Sequence, residues 1–182
     1  MNAHNVGMLE LTSFIHLSIY PFIHLSIHYC KTNGEYMKIL VSIDLSTSTE
    51  KVVTKAEEIA KIISAKLWLL HIVEPEPDFV GWGVGPQSVR DSLSKKFHEE
   101  HRQIQEIADR LRKEGLDASA LLVQGSTVDT ILEEATKLSV DMIVVGSHGR
   151  GAMYKLLVGS VSEGILHGAE CPILIVPTYE RT

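Results

Sequence analysis

Gly146-Ser147-His148-Gly149 is followed by nine residues, Arg150 to Val158, and then by Gly159-Ser160. Before this array stands Asp141-Met-Ile-Val-Val145, an apolar, β-branched run of strand length; after it comes Val161-Ser-Glu-Gly-Ile-Leu166, with helical spacing. A strand, a glycine-bearing loop and a helix opening on a hydroxyl residue form a cradle for an anion. Glycine lets the backbone approach a ligand closely, and the unbonded N–H groups of a helix start attract negative charge. The Gly-x2-Gly-x9-Gly-Ser spacing therefore points to a phosphate-bearing ligand.

Working outward, apolar strand-like runs alternate with amphipathic ones. Lys38–Ile43 reads as a strand ending in Asp44. Thr47 and Glu50 have the spacing of a capping box for a helix whose inner face is Val52, Ala56, Ile59, Ala60 and Ile63. Lys66–Val73 reads as a second strand, followed by a Pro/Gly-rich loop from Pro75 to Pro86. A long polar helix from about Ser88 to Glu114 carries Leu93, Phe97, Ile104, Ala108 and Leu111 on one side, with Gly115 as its stop. Ala118–Gln124 is strand-like. Ser126 or Thr127 caps a helix with Val128, Ile131, Leu132 and Ala135. A helix to about His167 and a strand Cys171–Val176 close the chain. This rhythm predicts an α/β fold: an open, doubly wound, mainly parallel five-stranded sheet with helices on both faces, Rossmann-like in layout. A ligand then belongs beyond the carboxyl ends of the strands, where Asp44, Gly125 and Gly146 converge.

Composition sets the outer limits. The chain has 182 residues, 45% hydrophobic and 22% charged, as expected of one globular domain with a proper core. The net charge of −6 and the lack of a dense Lys/Arg cluster argue against nucleic acid as a partner. Cys30 and Cys171 make neither a disulfide framework nor a metal spacing, which suits a reducing, cytoplasmic compartment. Residues 1–36 differ from the rest. Phe14-Ile-His-Leu-Ser-Ile-Tyr20 is nearly repeated as Phe22-Ile-His-Leu-Ser-Ile-His28, and the first thirty residues hold no Lys or Arg. The stretch lacks the basic start of a secretory signal, and its His, Ser and Pro residues do not suit a membrane span. Met37 directly precedes the first strand, so 37–182 is expected to be the functional unit. Residues 1–36 are read as a poorly ordered extension or the product of a start site assigned too far upstream.

The loop is not a Walker A loop, for no Gly-Lys-Ser/Thr ends it, and no Gly-x-Gly-x-x-Gly follows the first strand. Asp44 would accept hydrogen bonds from sugar hydroxyls or a base amino group; its plain alternative is to cap a helix or brace a loop. His148 and Arg150 flank the loop, as phosphate contacts or as solvated side chains. His71 reads first as a structural residue, and Trp82 as a cover or as mobile surface.

Asp141-Met-Ile-Val-Val-Gly-Ser-His-Gly-Arg-Gly151, with Leu157-Val-Gly-Ser-Val-Ser162 and Cys171-Pro-Ile-Leu-Ile-Val-Pro177, resembles the universal stress protein family. Lys38-Ile-Leu-Val-Ser-Ile-Asp44 and Leu69-Leu-His-Ile-Val73 match as well, so the likeness covers nearly all of 37–182. It implies the adenine nucleotide alpha hydrolase-like fold and, with the glycine array intact, the ATP-binding branch. By position, Asp44 would meet adenine or ribose, Ile72 would line the adenine pocket, and Gly125 would let the ribose approach. Gly146 and Gly149 would shape the loop beside Arg150. Gly159, Ser160 and Val161 would hold the phosphates, with Mg2+ or Mn2+ as an optional companion of ATP. Thr127 stands where members often carry proline. The resemblance further implies a homodimer through the strand at 171–177 and no membrane partner. The expected function is nucleotide-dependent switching in a stress response with little or no hydrolysis. Two alternatives stay open: a slow ATP hydrolase or nucleotidyl-transferring enzyme on the same fold, and a dimeric scaffold that binds no nucleotide.

Overall fold

The computed structural model describes residues 36–74, 87–147 and 159–178. The expected extension up to Glu35, the Pro75–Pro86 loop with Trp82, and His148, Gly149 and Arg150 lie outside these residues. Among the described residues nine elements follow one another: β1 (Lys38–Ile43), α1 (Thr49–Ile63), β2 (Lys66–Val73), α2 (Gln87–Lys113), β3 (Ala118–Gln124), α3 (Thr127–Leu138), β4 (Met142–Gly146), α4 (Ser160–Gly168) and β5 (Ile173–Val176).

All five strands are parallel, in the order β3-β2-β1-β4-β5. The sheet that the sequence predicts as mainly parallel is parallel throughout. Burial on both faces explains the nearly unbroken apolar strands. Ile39, Val41, Leu67 and Leu69 turn to one face, against Val53, Ala56 and Ala60 of α1 and Ile104, Ala108 and Leu111 of α2. Leu40, Leu70, Ile143 and Val145 turn to the other, against Ile131 and Ala135 of α3 and Ile165 of α4. The strand order reverses between β1 and β4, where α/β sheets open a crevice.

Boundaries depart from expectation where side chains compete with the backbone. The Thr47–Glu50 capping box does not form. Asp44 Oδ1 accepts the Ser46 N–H at 3.1 Å and Ser46 Oγ accepts the Ser48 N–H at 3.2 Å, which winds the chain into a turn before α1. Glu50 points instead to Arg110 of α2, at 2.6 and 3.1 Å. β4 starts one residue late: Asp141 donates its own N–H to Lys38 O at 2.8 Å but takes the Lys38 N–H on its carboxylate, at 2.9 Å. β5 starts after Pro172, which has no N–H to give but accepts that of Ile143 at 3.0 Å. Phe97, placed by the periodicity on the inner side of α2, is 40% exposed, and Glu100 takes the inward position. Gly115 stops α2 as expected, with φ at +88°. Among the described residues no helix is long and apolar enough to cross a membrane.

Candidate functional site

The carboxyl ends of β1, β2 and β4 and the first turns of α1, α3 and α4 surround a cavity of about 570 Å3, within the range of small-ligand sites. Each wall has its own chemistry.

The middle wall is the end of β1. After buried Ile43 the chain turns away at Asp44, and Leu45 sits in the left-handed region at φ +54°, a costly conformation for a side chain that is not glycine. One Asp44 oxygen closes the turn to Ser46 and lies 3.5 Å from the Thr49 hydroxyl. The other, Oδ2, is buried and has no hydrogen-bond partner among the described residues. The carboxylate thus fulfils its loop-bracing role with one oxygen, while the other is left without a partner among the described residues in the wall of the cavity. A buried acceptor left unmade is unfavourable by about 1–3 kcal/mol, which a donor on a ligand would relieve.

The second wall is β4 and α4. Gly146 ends the strand, and its carbonyl accepts the hydroxyl of Ser162, a fully buried residue, at 2.8 Å. Ser147 N–H donates to Val176 O at 2.8 Å, and Ser147 Oγ accepts the Thr178 N–H at 3.1 Å. Gly159 N–H donates to Ser147 O at 2.8 Å, so the two flanks of the glycine loop are joined by one backbone bond. Gly159 is the N-cap of α4 with an extended backbone, φ −64° and ψ 155°. The N–H groups of Ser160, Val161 and Ser162 that follow have no carbonyl of their own helix to bond, and they open on the cavity. This is the positive end of the site.

The third wall is β2 with α2. His71 is buried, and with Ile43 O as acceptor at 2.9 Å its Nδ1 carries the hydrogen. Its Nε2 lies 3.6 Å from Oε2 of Glu100, too long for a hydrogen bond and close enough for an ion pair. Glu100 is itself buried, and that oxygen makes no hydrogen bond among the described residues. Ile72, Val73 and Glu74 continue the wall, Lys96 joins it from α2, and Thr127 Oγ1 donates to Glu74 Oε1 at 2.7 Å. That bond ties the start of α3 to the end of β2.

Of the residues singled out from sequence, Asp44, Ile72, Gly146, Gly159, Ser160 and Val161 line one cavity. Gly125 is not among the described lining residues. A Cβ there would stand 2.4 Å from the Thr130 hydroxyl, so close packing onto α3 requires its small size. Glu100 and Lys96 escaped notice because they sit in a charged helix. The signal was there: Glu100 precedes buried Ile104 by one turn and shares its face.

An open, wholly parallel sheet with helices on both faces and a cavity at the reversal of its strand order defines a doubly wound α/β protein. The model of the "Universal stress protein family" matches residues 35–177, and the chain belongs to that family. It is 36% identical over 143 residues to universal stress protein A homolog 2 of Coxiella burnetii, covering 78% of this chain and 94% of that one. With YxiE of Bacillus subtilis it shares 30% over 146 residues, 78% and 99% of the two chains. The solved structure of hypothetical protein MJ0577 superposes with a TM-score of 0.66 at 26% identity, over 80% of this chain and 99% of that one. A universal stress protein solved in complex with cAMP gives 0.59 at 26% identity, over 79% and 98%.

Proposed function

We propose that this universal stress protein holds an adenine nucleotide, ATP in the first place, as a signal within a stress response. The observation that carries the reading is the pairing of two unmet needs across one cavity. Helix N–H groups on α4 ask for an anion, and the buried Oδ2 of Asp44 asks for a donor. A nucleotide supplies both, with phosphate at α4 and sugar hydroxyls at Asp44. The cAMP complex of a relative at 26% identity supports the ligand class. Gly149 and Arg150 complete the phosphate loop in this reading, and Gly125 serves the ribose side through its packing on Thr130. Residues 37–182 are the working unit, in the cytoplasm.

Turnover is expected to be slow or absent. Phosphoryl transfer needs a metal-holding carboxylate and a positioned base beside the terminal phosphates. Among the described residues the lining carboxylates are Asp44, Glu74 and Glu100, on the β1, β2 and α2 walls, and the lining residues of α4 carry none. Any Mg2+ or Mn2+ would arrive on the phosphates. The protein also pairs with a second copy through β5.

Denaturing freshly purified protein and weighing what it releases by mass spectrometry tests the reading, with Gly159→Asp in parallel. Aspartate is a good N-cap, so α4 should persist, while its carboxylate occupies the N–H groups and repels phosphate. Adenine nucleotide from the wild type, and at least about tenfold less from Gly159→Asp, is the expected result. Wild type that releases none and binds no added ATP ends the proposal; metal-dependent turnover at many cycles per minute ends its non-catalytic half.

A further inference from the structure

Glu100 is used by nothing above. It is a carboxylate from α2, 8% exposed, in the wall of the cavity, with Oε2 unbonded among the described residues. An ionised carboxylate can only accept hydrogen bonds, and burying one without a donor is unfavourable. His71 fixes its surroundings. The Nδ1 hydrogen on Ile43 O sets the ring, and Nε2 then faces Oε2 at 3.6 Å. Among the described residues the remaining charged groups on this part of the cavity are Lys96, one turn earlier on α2 and exposed, Glu74 at the end of β2, and Asp44 at the end of β1.

The order of the walls places Glu100 along a ligand. The strands run β2-β1-β4 across the cavity, each about 4.8 Å from the next. Phosphate at the α4 start therefore sits above β4, the sugar comes to Asp44 above β1, and the base comes to β2 and α2. On β2 the main chain offers a second acceptor. Lys66 N–H donates to Met37 O and Leu67 N–H to Asp117 O, so even-numbered β2 residues turn their backbone groups to the β1 side. The last β1–β2 pair is Ile43 with His71. The Ile72 carbonyl is thus turned toward the crevice that opens where β1 has left the sheet.

We propose that Glu100 is a base-selecting residue: with the Ile72 carbonyl it accepts the two N–H groups of a purine 6-amino group, and so excludes 6-oxo purines. The inference rests on the nucleotide reading above and adds to it the residue that chooses the base. A 6-oxo group would set a third acceptor against these two, and the single N1–H beside it can relieve only one of them. Asp44, above β1, serves the sugar and is indifferent to the base.

Titration calorimetry on the full chain with ATP and ITP tests this, since the two share sugar and triphosphate and differ in the 6-amino against the 6-oxo group. Wild type should bind ATP at least about tenfold more tightly. Glu100→Gln, whose amide can donate to a 6-oxo group, should shrink that preference about tenfold while melting near the wild type. Asp44→Asn should weaken both nucleotides by the same factor. Equal wild-type affinities overturn the inference, as does an unchanged ratio in folded Glu100→Gln, or a ratio that moves with Asp44→Asn instead. Should Glu100→Gln not fold, wild type with N6,N6-dimethyl-ATP decides: affinity equal to that of ATP overturns the inference, and a loss of about tenfold supports it. Wild type that binds neither ATP nor ITP removes the nucleotide reading itself, an outcome distinct from ATP bound without selection.

Discussion

Gly125 separates two reasons for a glycine beside a cavity. Its Cβ would lie 2.4 Å from Thr130 Oγ1 and 3.7 Å from Thr130 Cβ, and Thr130 is buried. Gly125→Ala is therefore expected to destabilise the fold by about 1–3 kcal/mol in urea titrations, through overpacking. Thr130→Ala removes the offending hydroxyl, so the double variant should recover most of the loss, a coupling of about 1 kcal/mol or more. Additive losses would mean that the backbone, not the contact, demands glycine. The strand ends that meet at the site were legible, because a charged or glycine residue closing an apolar run is a local signal. Asp44 and Gly146 stand out this way. Glu100 was not legible: its neighbour Glu99 is exposed and carries the same charge, and only the packing of α2 on the sheet decides which of the two turns inward.

Helix α4 forms the wall assigned to phosphate in the proposed function, and two glycines let it approach α3. A Cβ on Gly164 would meet both methyls of Val128, at 2.8 and 3.0 Å. One on Gly168 would meet the tip of Leu132, at 2.5 Å. The two contacts differ in what can give. Val128 is β-branched and stiff, whereas a leucine tip can change rotamer. Alanine adds helix propensity of about 0.8–1.0 kcal/mol, against about 1–3 kcal/mol for overpacking a rigid neighbour. Gly164→Ala should therefore lower stability by about 1 kcal/mol and weaken nucleotide binding as α4 shifts, while Gly168→Ala stays within about 0.5 kcal/mol of wild type in the same denaturation assay. The existence and type of these elements came through in the sequence because apolar periods of 2 and 3.6 are strong over whole elements. Their first residues did not, since at Asp141, Pro172 and the turn after Asp44 single side chains redirect the backbone.

At the scale of the molecule, the order β3-β2-β1-β4-β5 leaves β5 on an edge. Pro172 O accepts from Ile143 of β4 and Val176 O from Ser147 just after it, so Ile173 and Ile175, between them, turn their backbone groups outward. Leu174 packs into the α1–α2 core, and a charge there would harm the fold before any partner. Ile175→Pro removes an outward N–H only, as edge strands tolerate. If two copies pair through β5, light scattering should give a monomer for Ile175→Pro and a dimer for Ile175→Val; a dimer in both would place the contact elsewhere. The parallel sense of the sheet and its covering on both faces followed from the alternation of elements, but which strands are neighbours, and so which distant residues share one cavity, had to await the strand order. A parallel sheet also has a polarity. Every carboxyl end lies on the cavity side, so the amino end of β1 is about 20 Å away, six residues of strand. Residues 1–36 are joined at that far rim, while Thr178, shortly before the carboxyl terminus, lines the cavity itself. Cargo fused ahead of β1 is attached clear of the cavity, whereas cargo that follows Thr178 is tethered to its wall.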